Sequence, residues 1–188
     1  CNANCTGSGS GSTCGDGTVD QDEECDQGAE TSACHADCTL SDAFVSVWVV
    51  TEDDLTIALP LRKTSAQYSS DDDSFDDGPE FAYNFVVDWG DGSAPSEVTS
   101  YNDPARVHTY AEAGEYTVTI RGTLETLYFV TSPHRHKLGS IPNLGRVGWR
   151  NFESSFASCS HLTTVRGGDT AMVTHMGWMF AGATNAQP

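Results

Sequence analysis

An apolar run that ends in an aspartate–glycine turn constrains the fold of this chain more than any other feature. Residues 85–93 read FVVDWGDGS, so a strand candidate leads directly into a tight turn. The segment 107–110 (VHTY) follows, and then residues 116–120 (YTVTI), in which apolar and polar side chains alternate. Strands with side chains of period two that are joined by tight turns are the components of an antiparallel sheet. These segments therefore predict a small antiparallel β-sandwich.

The same segments carry the signatures of a known family. Residues 89–93 match W-G-D-G-S, His108 and Tyr110 match H-x-Y, and residues 113–118 match A-G-x-Y-x-V. Over residues 42–123 the chain thus resembles the PKD-type immunoglobulin-like domain. The resemblance implies an immunoglobulin-like sandwich in which His108 and Tyr110 make core or corner contacts.

Asp88 and Asp91 are two carboxylates close together, but turn chemistry accounts for both. Glycine tolerates the positive φ that such turns need, and an aspartate before it bonds to nearby backbone N–H groups. We therefore expect Asp88 and Asp91 to fix the turn rather than to catalyse a reaction.

Further strands are predicted on both sides of the turn. Residues 44–50 form an apolar run, and residues 55–59 form a second one that Pro60 ends. Residues 81–87 lead into the turn itself. Residues 126–130 (TLYFV) are expected to close the sandwich.

The chain carries a net charge of −18, and 22 of its 27 acidic residues lie in residues 1–104. Such an acidic surface argues against nucleic acid or an anionic membrane as partner. It suits an extracellular protein, either as plain solvated surface or as a binder of divalent cations. Residues 71–77 hold five carboxylates and are expected to form a solvated loop unless a cation binds. No run of 18 apolar residues occurs, so no membrane insertion is predicted.

Six of the seven cysteines lie within the first 38 residues. This stretch is too short and too polar to bury a core, which favours a disulfide framework in a protein outside the cytosol. A zinc–thiolate cluster is the alternative, but no Cys-x2-Cys pair occurs. The candidate disulfide residues are Cys14, Cys25, Cys34 and Cys38, for which three pairings are possible.

The pattern C-x-A-x-C-T occurs at residues 1–6 and again at residues 34–39. Residues 14–39 resemble one unit of the Myxococcus-type cysteine-rich repeat of bacterial secreted and surface proteins. In that interpretation Cys1 and Cys5 end a preceding unit, and residues 7–13 include a Gly/Ser linker. The alternative is that Cys1 is the lipidated first residue of a lipoprotein. No signal peptide is present, so we expect a mature or trimmed part of a gene product.

Acidic side chains of the cysteine-rich unit form a candidate calcium site. They are Asp16, Asp20, Asp22, Glu24 and Asp26. Calcium takes six to eight oxygen ligands from flexible carboxylates and carbonyls, which a turn-rich loop supplies. The spacing is not that of an EF-hand, and plain surface acids remain the alternative.

The C-terminal residues contain a second repeat, with an offset of 24. Phe152 and Phe156 align with Met176 and Phe180. Recurring apolar residues at such an offset are typical of a solenoid, in which each copy buries its apolar face on the next. Leu138, Ile141, Leu144 and Val147 recur at intervals of three, which also favours short solenoid turns.

Residues 169–183 resemble the BspA-type leucine-rich repeat of bacterial surface proteins. The resemblance implies that Cys159 is a free thiol in the core. About two copies do not normally stand alone, so we expect either that the native protein continues beyond Pro188 or that the open end packs on another copy.

The sequence therefore predicts a mostly β protein in four segments. They are residues 1–13, the tail of a preceding unit and a linker; residues 14–41, a cysteine-rich repeat; residues 42–130, an immunoglobulin-like (PKD-type) β-sandwich; and residues 131–188, an incomplete leucine-rich-repeat solenoid. Core packing is the expected role of the four tryptophans, Trp48, Trp89, Trp149 and Trp178, rather than stacking on sugars.

No catalytic constellation is recognisable. We predict a non-enzymatic bacterial cell-surface or extracellular protein for adhesion, matrix formation or self-assembly, with structural Ca²⁺ as the candidate cofactor. Its expected partner is a protein or glycan on another surface, or further copies of itself. The alternative is an accessory substrate-binding region of a secreted hydrolase.

Overall fold

The computed structural model describes residues 42–64, 67–68, 75–76 and 78–186. This part of the chain is mostly β, with antiparallel sheets, and its helical content is limited to the 3₁₀ turns Pro104–Arg106 and Arg135–Lys137. The strands are β1 (Phe44–Val50), β2 (Thr56–Ala58), β3 (Gln67–Tyr68), β4 (Phe75–Asp76), β5 (Tyr83–Asp88), β6 (Ser96–Val98), β7 (Val107–Thr109), β8 (Gly114–Leu124) and β9 (Leu138–Asn143).

The main sheet has five strands in the order β6-β5-β8-β1-β9, and every neighbouring pair is antiparallel. Two smaller sheets pair β2 with β7 and β3 with β4. The strands predicted at residues 44–50, 55–59 and 81–87 are confirmed as β1, β2 and β5, and the alternating segment 116–120 lies inside β8.

The alternation in β5 shows how the sequence positions the core. Tyr83, Phe85 and Val87 are buried, whereas the residues between them are exposed. The side chains on one face of the sheet are therefore buried together, as the period-two pattern predicts.

The core continues from the sheet into the segment after β9. The Phe44 ring meets the edge of Trp149 with ring centroids 5.5 Å apart, and Trp48 packs on Phe129 at 5.6 Å. All four belong to one cluster of buried residues. Residues on both sides of the boundary expected at residue 130 thus share one hydrophobic core.

Residues 126–130 do not close the sheet, which corrects the expectation from the sequence. Thr126 forms a parallel bridge with Asn151, and the N–H of Tyr128 donates to the carbonyl of Pro60 at 2.8 Å. The side chains of Leu127 and Phe129 are buried in the core. Because the backbone of this segment bonds to segments outside the sheet, the edge beside β1 is left to another strand.

That strand is β9, in a segment for which the sequence favoured only short solenoid turns. It pairs with β1 through Trp48↔Leu138 and Val45↔Asn143, with register shifts between them. On its other side, Ile141 forms a parallel bridge with Val165. β9 therefore belongs both to the sheet and to the stacked segment that follows it.

Two coils stack in parallel at the C-terminal end of the described chain. We call residues 145–168 the preceding coil and residues 169–186 the last coil. Asn151 bridges His175, and the N–H of Asp169 donates to the carbonyl of Gly145 at 3.0 Å, so residues 24 apart lie side by side.

The backbone conformation repeats with the same offset. Ser154 and Trp178 have φ of 54° and 57°, and Ser158 and Gly182 have φ of 60° and 73°. The two coils therefore follow the same path, and the last one lies on the preceding one.

Candidate interaction surface

The turn at residues 88–93 is held by the carboxylates that precede its glycines. Asp88 accepts from the N–H of Gly90 at 2.9 Å, and Asp91 accepts from the N–H of Ser93 at 3.0 Å. Gly90 and Gly92 have φ of 79° and 80°, a region that residues with a Cβ rarely adopt. Both aspartates bind the backbone of the turn, as the sequence predicts.

Aromatic side chains lock this turn onto the strands. The Nε2 of His108 lies 2.7 Å from Oδ2 of Asp91, and the imidazole stacks on Trp89 at 4.9 Å. The hydroxyl of Tyr110 donates to the carbonyl of Trp89 at 3.0 Å. His108 and Tyr110 thus make the corner contacts that were expected of them.

The charges at this corner follow from those contacts. Hydrogen bonds from Ser93 and then from His108 lower the pKa of Asp91 to about 2. Burial raises the pKa of Tyr110 above its ordinary value. Asp91 is therefore ionised, and Tyr110 is neutral, throughout the physiological range.

A different surface, on the last coil, exposes large apolar side chains. We call it the apolar edge; its members and their exposed fractions are Met172 (65%), Met176 (53%), Trp178 (77%) and Phe180 (41%).

The preceding coil has buried residues at matching positions. Phe152 and Phe156 are both fully buried, and Phe180 stacks on Phe156 with ring centroids 5.6 Å apart. The last coil covers the preceding coil, whereas no described residue covers the last coil. This difference leaves Met176 and Phe180 in contact with water although the sequence pattern is the same.

Trp178 departs from the expectation that all four tryptophans pack in the core. Trp48, Trp89 and Trp149 are each 1% exposed and confirm it, but Trp178 is 77% exposed. It occupies the position of Ser154 and shares its left-handed backbone conformation. For a bulky L-residue that conformation costs about 1–2 kcal/mol.

A cleft of about 510 Å³ adjoins the apolar edge at Met172. Phe81, Glu125, Arg150 and His175 are among its lining residues. Glu125 accepts from the N–H of Ala82 at 2.8 Å and lies 3.4 Å from the Arg150 guanidinium. The cleft therefore combines an aromatic ring with charged and polar groups.

The last coil is almost without charge. Residues 170–188 contain no Asp, Glu, Lys or Arg, although the chain as a whole has a charge of −18. The apolar edge consequently offers apolar contact and hydrogen-bonding groups but almost no charge.

The candidate disulfide and calcium residues lie outside the part of the chain that the structure describes. They are Cys14, Cys25, Cys34 and Cys38, and Asp16, Asp20, Asp22, Glu24 and Asp26. Within the described ranges, no group of three or more His, Cys, Asp or Glu side chains is placed to hold a metal ion. In the same ranges, no helix is long and apolar enough to cross a membrane.

Cys159 is buried and free, which confirms the prediction of a core thiol. Desolvation raises the pKa of this thiol to about 12. Its sulfur is therefore uncharged and weakly reactive near neutral pH.

The sequence predicted that the solenoid has an open end, but it did not identify the exposed side chains, because the repeat pattern marks Met176 and Phe180 as buried. The signal that was available is the lack of charge in residues 170–188. Sequence reasoning also missed the cleft, because the lining residues come from segments far apart in the sequence: residues 78–81, Glu125, residues 150–151 and residues 172–175. No protein-family model, curated protein sequence or solved structure matches this chain.

Proposed function

We propose that this chain is a non-enzymatic bacterial cell-surface or extracellular protein that binds a partner protein through the apolar edge. The observation that carries the proposal is the exposure of Met172, Met176, Trp178 and Phe180 on one coil. Soluble monomers rarely expose contiguous large apolar patches, and those that do usually use them for binding.

The residue types also favour a binding surface. Aromatic residues and methionine are enriched at protein interfaces, and tryptophan is the commonest among the residues that dominate binding energy. Trp178 is in addition held at positive φ. Backbone strain of that kind persists where the surrounding structure enforces it, and it concentrates at functional sites.

In this proposal the remaining segments support the binding coil. The five-stranded sheet and the β2–β7 pair form an immunoglobulin-like, PKD-type sandwich, and the coils are leucine-rich repeats of the BspA type. The shared core, in which Phe44 meets Trp149 and Trp48 meets Phe129, supports a rigid connection between them. A rigid support keeps the apolar edge in a fixed orientation.

The N-terminal segment, in this proposal, is a disulfide-stapled stalk. Cys14, Cys25, Cys34 and Cys38 supply its bridges, and the acidic residues between them hold structural Ca²⁺. Six cysteines within 38 residues support a location outside the cytosol.

The experiment measures retention of protein-coated beads under flow on surfaces coated with gelatin or casein. The wild-type chain is compared with a variant of the apolar edge, M176S/W178S/F180S. The matched control is V49T/V86T/V107T, because these three valines are 42–43% exposed on strands of the sheets.

We expect wild-type and control beads to be retained equally and the edge variant to lose at least tenfold in retention. Equal retention of all three would contradict the proposal.

The cleft favours a second candidate function, namely that the chain is the accessory substrate-binding region of a secreted hydrolase. Its mixture of an aromatic ring, Phe81, with polar groups such as Asn151 suits a sugar. This alternative predicts retention of the same beads on cellulose or chitin, lost in a Phe81→Ala variant and kept in the edge variant.

A further inference from the structure

The hydrogen bonds between the two coils run in one direction over most of their contact. From residue 152 onward, N–H groups at alternate residues of the preceding coil donate to carbonyls of the last coil. The pairs are Phe152 to His175 (2.8 Å), Ser154 to Gly177 (2.9 Å), Phe156 to Met179 (2.9 Å) and Ser158 to Ala181 (2.7 Å).

The equivalent N–H groups of the last coil have no acceptor. With the offset of 24 they belong to Met176, Trp178, Phe180 and Gly182, and none of the four bonds to any part of the chain that the structure describes. Trp178 and Gly182 keep the backbone conformation of their counterparts Ser154 and Ser158. The last coil therefore presents four N–H donors in the arrangement that the preceding coil uses for pairing.

The carbonyls of residues 175–181 are already occupied. Those at residues 175, 177, 179 and 181 accept from the preceding coil. Those of Met176, Trp178 and Phe180 accept from N–H groups three residues further on, at 3.0–3.3 Å. From residue 176 to residue 181 the open side is consequently a row of donors without free carbonyls between them.

We propose that this row binds a polypeptide segment of a partner protein, which follows the same path as the last coil and adds to the stack as a further coil. The segment presents backbone carbonyls at alternate residues to the four N–H groups. It also places two apolar side chains, four residues apart, over Met176 and Phe180, in the way that Phe180 stacks on Phe156. The inference deepens the proposed function and rests on it.

A second copy of this chain does not meet these requirements. Two apolar edges related by a twofold axis would place donors against donors, and each buried N–H without an acceptor is unfavourable. The opposite end of the stack is closed to head-to-tail assembly. There, Tyr128 donates to Pro60, and the Lys137 ammonium bonds to the carbonyls of Asp54 and Thr56 at 2.8 and 2.6 Å.

Continuity with the existing interface identifies the partner's chemistry. The contact between the two coils is made by the same kinds of group that the apolar edge leaves open: N–H donors at alternate residues and an aromatic ring, Phe180 on Phe156. This mode is comparable to the addition of a strand to an open sheet edge, in which main-chain hydrogen bonds give affinity and side chains give specificity.

The test uses a fluorescein-labelled synthetic peptide with the sequence of residues 168–186, because this segment already presents the required carbonyl row. The full chain is titrated into the peptide, and fluorescence anisotropy is measured. A peptide of the same composition in scrambled order is the control for apolar adhesion. A third peptide carries thioamides at the carbonyls of Gly177 and Met179, which weakens two acceptors and leaves every side chain in place.

We expect saturable binding of the native-sequence peptide, at least fivefold weaker binding of the thioamide peptide, and no binding of the scrambled one. The M176S/W178S/F180S chain is expected to bind none of them. Equal affinity for thioamide and native peptides, or for scrambled and native peptides, would overturn the inference.

Two further outcomes separate the inference from the proposed function. If retention of the beads requires the apolar edge but the native-sequence peptide does not bind, the inference fails and the proposed function stands. If the chain forms dimers in light scattering that the edge variant abolishes, the occupant is a second copy and the inference is wrong. If neither bead retention nor peptide binding requires the apolar edge, both proposals fail together.

Discussion

Replacing Phe156 with alanine should destabilise the chain much more than the same replacement at Phe180, although the two residues occupy equivalent positions in successive coils. Phe156 is fully buried, with Phe129, Phe152 and Phe180 around its ring at centroid distances of 5.6–6.2 Å. Phe180 is 41% exposed. The comparison therefore holds residue type and backbone path constant and changes burial alone.

The magnitudes follow from that burial. Removing a fully buried phenylalanine ring costs about 3–5 kcal/mol, because the lost transfer free energy is joined by the cost of a cavity. At Phe180 only about three-fifths of the side chain leaves water, and water fills the space that alanine leaves. The expected loss there is about 1–2 kcal/mol. The free energies of unfolding of the two variants should differ by about 2 kcal/mol or more.

Urea unfolding followed by tryptophan fluorescence measures this difference. With a slope of about 2 kcal/mol/M, a gap of about 2 kcal/mol separates the two midpoints by about 1 M. Val49→Ala, at a 43% exposed position on β1, controls for the loss of an exposed apolar side chain. Equal losses at Phe156 and Phe180 would refute the reasoning, because they would mean that Phe180 is covered in solution and that the apolar edge is already occupied.

Three further predictions concern the turn and the buried thiol. Gly90→Ala should cost at least about 2 kcal/mol, because its Cβ would lie 2.3 Å from the carbonyl oxygen of Thr117. Gly92→Ala, with the same positive φ but no atom within 4 Å, should cost only about 1 kcal/mol in thermal unfolding. The pKa of Asp91 is about 2 in the folded chain, below its ordinary 3.8, so its stabilisation is present above pH 4 and is lost as the pH falls through 2. At neutral pH an Asp91→Asn variant should therefore be less stable than wild type in urea melts. At pH 2 the free energies of unfolding of the two proteins should be nearly equal. Cys159 should resist iodoacetamide at pH 8 in the native chain and react after unfolding, as peptide mapping reports, since burial raises its pKa to about 12; rapid native labelling would contradict its burial.

Local patterns were sufficient to predict several strands of the sheets. The apolar run of β1 and the alternation in β5 and β8 are properties of neighbouring residues, and so is the turn chemistry of Asp88 and Asp91. Each of these features depends on residues that are close in sequence. They are therefore visible before any tertiary contact is known.

The errors arose where long-range pairing decides the structure. Residues 126–130 have the composition of a strand, but their backbone pairs with Pro60 and with the preceding coil instead of with the sheet. β9 contains Gly139 and Pro142, which weaken any strand pattern, yet β1 and Val165 hold it from both sides. Trp178 is exposed only because no described segment covers the last coil, which a repeat pattern does not reveal.

The position of β1 in the sheet determines the order in which the chain can fold. β1 lies between β8 and β9, so that Phe44 pairs with Ile120 and Val45 with Asn143. A chain synthesised from its N-terminus therefore keeps this apolar strand without either partner while most of the other strands are made. Contacts so distant in sequence slow folding, and an unpaired strand edge invites association with other chains. Because β9 completes the five-stranded sheet and also begins the stack, this sheet and the coils are expected to reach their native pairing in one late, cooperative step.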